Sequence, residues 1–97
     1  YGYGELQDYQ EAVKWFRLAA EQGYDKAQVS LSLMYAEGNG VIKDMVIAHM
    51  WTNISASQGH EVAKRFRDLL VKKMTASQIE KAQDLARQCV KNNYKGC

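Results

Sequence analysis

Apolar residues recur every three or four positions along this chain, and the stripes they draw predict five helices. Over about Tyr9–Gln22, the residues Tyr9, Ala12, Val13, Phe16, Ala19 and Ala20 form one face, with Lys14, Arg17 and Glu21 off it. Asp8 is the expected N-cap of this helix, with Glu11 completing a box-like start, and Gly23 ends it. A second helix, about Lys26–Glu37, turns Ala27, Leu31, Met34 and Tyr35 inward and stops at Gly38-Asn39-Gly40. Asp44 then caps a third, about Met45–Gln58. Its opening turns are apolar nearly all round, as expected of a helix covered on more than one side. A fourth, about Glu61–Lys73, points Ala63, Phe66, Leu69 and Leu70 inward. Thr75-Ala76-Ser77-Gln78 has the form of a capping box, with Met74 and Ile79 placed as its staple. It opens a fifth helix, about Ala76–Asn92, striped by Ile79, Ala82, Leu85, Ala86, Cys89 and Val90.

The pattern repeats with a period of 36 residues. Asp8, Ala12, Trp15, Ala20, Gln22, Gly23 and Ala27 return as Asp44, Ala48, Trp51, Ala56, Gln58, Gly59 and Ala63. Gly2 and Gly4 return as Gly38 and Gly40, and Leu33 as Leu69. Such a period belongs to stacked helical hairpins. The last unit is degenerate: Ala82, Leu85 and Cys89-Val90 take the places of Ala12, Trp15 and Ala19-Ala20 only after the step is shortened by two residues. The expected fold is therefore an all-α, right-handed solenoid of antiparallel hairpins. It divides into a partial repeat (1–23), a full repeat (24–59) and a degenerate repeat with capping helix and tail (60–97). The chain opens on Tyr1 in the middle of a repeat and reads as the closing end of a longer array.

One stretch carries a recognisable signature: Tyr35, Gly38, Gly40, Val41, Asp44, Ala48, Trp51, Ala56, Gln58 and Gly59, at Tyr-x-x-Gly-x-Gly-Val-x-x-Asp-x-x-x-Ala-x-x-Trp-x-x-x-x-Ala-x-Gln-Gly spacing. This resembles the Sel-1-like repeat (SLR) family, a relative of the tetratricopeptide repeats. Ala27, Leu31 and Tyr35 fit the family's first helix, and Ala12, Trp15, Ala19, Ala20, Gln22 and Gly23 its second. The closing segment from Met74-Thr75 looks like that of bacterial members. Two residues depart from the pattern: Ser32 stands where the family has a glycine, and Glu5 where the next repeat has Val41. The resemblance implies a non-enzymatic scaffold that binds a protein or peptide, with the alanines, glycines and tryptophans holding the hairpins together. By analogy with tetratricopeptide repeats, the concave face would show Lys26, Val29, Leu33 and Glu37, then Val62, Arg65, Leu69 and Lys72. Cysteine-rich relatives are associated with penicillin-type compounds, which keeps weak β-lactamase-like activity as an alternative. This chain lacks both their cysteine pair per repeat and a Ser-x-x-Lys nucleophile.

Charge adds an asymmetry. Residues 1–59 carry four Lys/Arg against seven Asp/Glu, and residues 60–97 nine against four. Acidic and basic ends allow head-to-tail association, or attraction of an anionic partner to the C-terminal half. Lys64, Arg65, Arg67, Lys72 and Lys73 make the fourth helix basic, but no aromatic interleaving or nucleic-acid motif accompanies them. The chain contains no proline and no apolar run near the ~20 residues of a transmembrane helix.

Candidate chemistry is sparse. His49 and His60 stand without cysteines or carboxylates at metal-ligand spacing, so no metal or other cofactor is expected. Phosphate-loop, Gly-x-Ser-x-Gly and His-Glu-x-x-His motifs are absent, leaving no catalytic set. Cys89 and Cys97 are eight residues apart. If the tail folds back after Asn93 they can form a disulfide; otherwise they are a buried helix cysteine and a tail thiol. A disulfide at the array's end fits an oxidising compartment. With the bacterial resemblance, this makes a periplasmic or secreted protein the expectation and a cytoplasmic one the alternative.

Overall fold

In the computed structural model, which describes residues 3–97 and the side chains from Asp8 onward, five helices follow one another through short turns. They are α1 (Tyr3–Ala20), α2 (Asp25–Glu37), α3 (Met45–Ser57), α4 (Glu61–Val71) and α5 (Ala76–Lys91). Among the described residues there is no strand. The punctuation works as its chemistry requires. Asp44 caps α3 by accepting from the Ile47 N–H at 3.0 Å. Thr75 and Gln78 close the capping box on α5, through Gln78 N–H to Thr75 Oγ1 at 3.1 Å and Thr75 N–H to Gln78 Oε1 at 2.9 Å. His60 caps α4, its Nδ1 accepting from the Ala63 N–H at 3.3 Å.

The start of α1 differs from expectation. Asp8 does not cap it, because the helix already begins at Tyr3 and runs through Gly4 and Asp8. In the next repeat the matching stretch is Val41-Ile42-Lys43, which stays out of helix. Here Glu5-Leu6-Gln7 stand in that place. Glu, Leu and Gln propagate a helix better than Val and Ile do, so the turn becomes helix. Gly2, its expected turn partner, and the side chain of Glu5 lie outside the described residues.

The middle helix organises the stack. α3 packs against α2, α4 and α5, whereas α1 has α2 as its main helical neighbour. The two tryptophans feel this directly. Trp51 is 0% exposed and joins a core with Val13, Ala20, Ala27, Leu31, Ile54, Ala86 and Cys89. Trp15, at the same point of the repeat, is 62% exposed. The expectation that both rings fill space between hairpins therefore fails for Trp15, because among the described residues no helix covers that side of α1 as α4 and α5 cover α3.

Contacts at the seams are close. A Cβ on Gly40 would meet the Tyr9 carbonyl oxygen at 2.5 Å, and Gly40 has φ +76°, so only glycine lets this turn lie on α1. Buried Gln28 donates to the Ala20 carbonyl at 3.2 Å and accepts from Gln58 Nε2 at 2.8 Å, joining α1, α2 and the end of α3. Ser55 Oγ donates to the Asp25 carbonyl at 3.0 Å. Ser32 is fully buried and satisfies its hydroxyl within α2, donating to the Val29 carbonyl at 2.8 Å.

The tail folds back. Asn93 and Tyr94 both take left-handed φ (56° and 65°) and reverse the chain after α5. The Tyr94 ring then lies against Gly23, where a Cβ would meet it at 3.1 Å, and Lys95 Nζ donates to the Glu21 carbonyl at 3.1 Å. Cys97 thereby returns to α5 and is joined to Cys89, with their Cα atoms 5.6 Å apart. The tail thus straps the last helix to the end of the first.

Candidate partner-binding site

Small residues draw α2, α3 and α4 together at one end of the hairpins. Val29, Ala56 and Ala63 are buried against one another there. α2 and α4 do not continue to pack along each other, and towards their C-termini a groove of about 440 Å³ opens between them. Its apolar lining comes from Leu33 and Ala36 of α2, Met45 of α3, and Phe66, Leu69 and Leu70 of α4. Leu33 and Leu69 are 40% and 57% exposed, large apolar side chains left facing solvent. Glu37, Lys43, Lys72 and Lys73 form the charged part of the rim. The volume lies within the ~300–1,000 Å³ of ordinary binding clefts.

The rim is electrostatically one-sided. Lys43, Lys72 and Lys73 face it with one carboxylate, Glu37. The ion pairs among the described residues lie elsewhere: Lys64–Glu61 at 3.3 Å, Arg67–Asp68 at 4.0 Å and Arg87–Asp84. Arg67 is further occupied by Asn53, donating to its Oδ1 at 3.1 Å. The basic face of α4 is therefore partly neutralised by its own neighbours, while Lys43, Lys72 and Lys73 at the groove are in no ion pair among the described residues.

Of the eight residues expected on a concave face, Leu33, Glu37, Leu69 and Lys72 come together in this groove. Lys26, Val62 and Arg65 are exposed but lie outside its lining. Val29 is 7% exposed and belongs to the seam, because Ala56 and Ala63 opposite it are small enough for the helices to close over it. Sequence reasoning missed Ala36, Lys43, Met45, Phe66, Leu70 and Lys73. The inward stripe of α4 names Phe66, Leu69 and Leu70: Leu70 is buried and Phe66 half-buried, but Leu69 departs from the stripe and stays 57% exposed, and all three line the groove. Lys43 comes from a turn, and no periodicity reports on a turn.

His49 is buried with its Nδ1 unpartnered, and Trp51 Nε1 is likewise without a hydrogen bond. Burial, and secondarily the nearby Arg67 charge, holds the imidazole below its ordinary pKa, so it sits neutral in the core. Neither group faces the groove. Among the described residues no three His, Cys, Asp or Glu side chains gather where they could hold a metal ion. None of the described helices is long and apolar enough to cross a membrane.

Stacked hairpins, a central doubly covered helix and an open groove define a helical-repeat module. The Sel1 repeat model matches residues 1–24 and 25–60, and the chain belongs to the Sel1 repeat family. It is similar to chitin synthase regulatory factor 3 of Schizosaccharomyces pombe, at 36% identity over 84% of this chain and 9% of that protein. Among solved structures it resembles a protective antigen present in uropathogenic Escherichia coli strains, which displays an SLR fold. The TM-score is 0.82 and the identity 33%, over 89% of this chain and 20% of that one. The chain thus spans a small part of the length of either relative. The fold is that of an α-helical solenoid, and the family is one of protein-interaction modules.

Proposed function

We propose that this chain is a non-enzymatic adaptor that captures a protein segment in the groove between α2 and α4. The observation that carries the reading is the pair Leu33 and Leu69. The two occupy the same repeat position, stay exposed, and flank one apolar cleft. A solenoid builds such a surface from curvature alone, and interface energy concentrates on a few large apolar anchors. The name of the yeast relative, a regulatory factor, agrees with a role exercised through binding. The test is comparative affinity capture with wild type, the double variant Leu33→Asp/Leu69→Asp, and Glu80→Lys on the exposed side of α5. The groove variant should lose its partners while Glu80→Lys retains them. Equal recovery by all three refutes the groove as the binding face.

The Cys89–Cys97 pair favours work in an oxidising compartment, periplasmic or extracellular, where such a bond persists. Thiol titration of unreduced protein should find no free thiol, and two titratable thiols would refute this placement.

A further inference from the structure

Resting on the reading of the α2/α4 groove as the binding face, we propose that its occupant is an acidic amphipathic segment of another protein. Such a segment would carry bulky apolar side chains on one face and carboxylates on its flanks. Two features of the groove select this chemistry. The lining needs apolar side chains, since Leu33, Met45, Phe66 and Leu69 offer no hydrogen bonds to a polar ligand. The rim needs negative charge, since Lys43, Lys72 and Lys73 converge there with Glu37 as their one opposing carboxylate, and none of the three is in an ion pair among the described residues. Lysines standing at a low-dielectric wall focus a positive potential along the cleft. They speed the approach of an anionic segment and repel a cationic one.

The charge comes from the fold rather than from composition. Lys43 leaves the turn before α3, and Lys72 and Lys73 leave the end of α4, after the helix has turned its Glu61-paired and Asn53-bound cations elsewhere. Lys43 meets the adjacent Lys72 and Lys73 at the groove that opens between α2 and α4. The single carboxylate, Glu37, sits at the end of α2. It gives the rim a polarity that would set the direction in which the segment lies.

The experiment is selection of a random peptide display library against the protein, with enriched peptides resynthesised and titrated by fluorescence anisotropy. Enriched sequences should combine apolar residues at helical or alternate spacing with a net negative charge. They should bind on the order of tenfold or more weaker to Lys72→Glu/Lys73→Glu, and weaken as salt rises. Leu69→Asp should abolish binding. If the enriched peptides are neutral or basic yet still depend on Leu69, the groove stands as the binding face and its acidic preference is overturned. If binding is indifferent to Leu33→Asp and Leu69→Asp, the groove reading itself falls. Sedimentation of the protein alone supplies the remaining arm. A concentration-dependent dimer dissolved by Leu69→Asp makes a second copy the occupant and overturns the proposal. Circular dichroism of each variant establishes that a loss of binding is not a loss of fold.

Discussion

Replacing Trp51 and Trp15 by alanine, one at a time, tests the packing with an internal control. The residues are 36 positions apart at the same point of the repeat and the substitution is the same, so the change in intrinsic helix propensity is matched. They differ in cover: Trp51 is 0% exposed and Trp15 62%. Removing a fully buried indole costs about 3–5 kcal/mol in lost burial and residual cavity. The unpartnered Nε1 works against that figure, since the buried N–H that vanishes with the ring costs about 1–3 kcal/mol to keep. A net loss of about 2 kcal/mol is therefore expected for Trp51→Ala. At about 4–8 °C per kcal/mol for a domain of this size, Tm should fall by roughly 8–16 °C. Trp15→Ala surrenders a mostly solvated ring and should cost under about 1 kcal/mol. Thermal and urea melts followed by far-UV circular dichroism measure both. The intrinsic fluorescence of each variant reports the remaining tryptophan, blue-shifted when it is Trp51. Equal destabilisation by the two substitutions, or a Trp51→Ala melt within a degree of wild type, would refute the argument that α3 is the covered centre of the stack.

Other consequences follow from single sites. His49 has its pKa below the ordinary 6.5, so above that value both folded and unfolded states hold it neutral. As pH falls below 6.5 the unfolded chain takes the proton first, and stability declines until the folded pKa is reached. The His49→Asn melt should lose that part of the acid-side slope, and an unchanged slope would contradict it. Cys97→Ser should cost roughly 2–3 kcal/mol in oxidised protein, as the entropy of closing a short loop requires. The difference should vanish when both proteins are melted in excess dithiol. Gly40→Ala and Gly59→Ala both place a side chain at positive φ, but Gly40 also drives a Cβ into the Tyr9 carbonyl while Gly59 opens on empty space. The expected losses are more than about 2 kcal/mol for Gly40→Ala and about 1–2 kcal/mol for Gly59→Ala, read from urea midpoints.

What the sequence made legible is the part written in local chemistry. Gly38, Asp44 and the Thr75–Gln78 box are each read by neighbours within a turn, so their roles can be seen without the fold. The helical stripes were legible for the same reason, apart from Leu69 and Val90, which their stripes turn inward and the structure leaves exposed. Missed features depend on what lies far away in the chain. Val29 looks like surface by analogy and becomes seam because Ala56 and Ala63 are small. Trp15 carries the same signature as Trp51 and is exposed because cover is a property of neighbours. The extension of α1 to Tyr3 shows local propensity displacing the repeat pattern, where Glu5-Leu6-Gln7 replace a β-branched turn. The strap of Tyr94 over Gly23 joins residues from opposite ends, and no periodicity carries that information. Four of the ten groove residues were legible as concave-face positions: Leu33, Glu37, Leu69 and Lys72. The other two lysines of the rim were not, because Lys43 comes from a turn and Lys73 lies past the end of α4.

If α2 and α4 hold the partner between them, hydrogen–deuterium exchange on the protein with and without a saturating captured partner or enriched peptide will show where it sits. New protection is expected in the last turns of α2 and α4, around Leu33–Glu37 and Phe66–Lys73, with α5 and the outer face of α1 unchanged. Protection confined to α5, to the Trp15 face of α1 or to the C-terminal strap would contradict it.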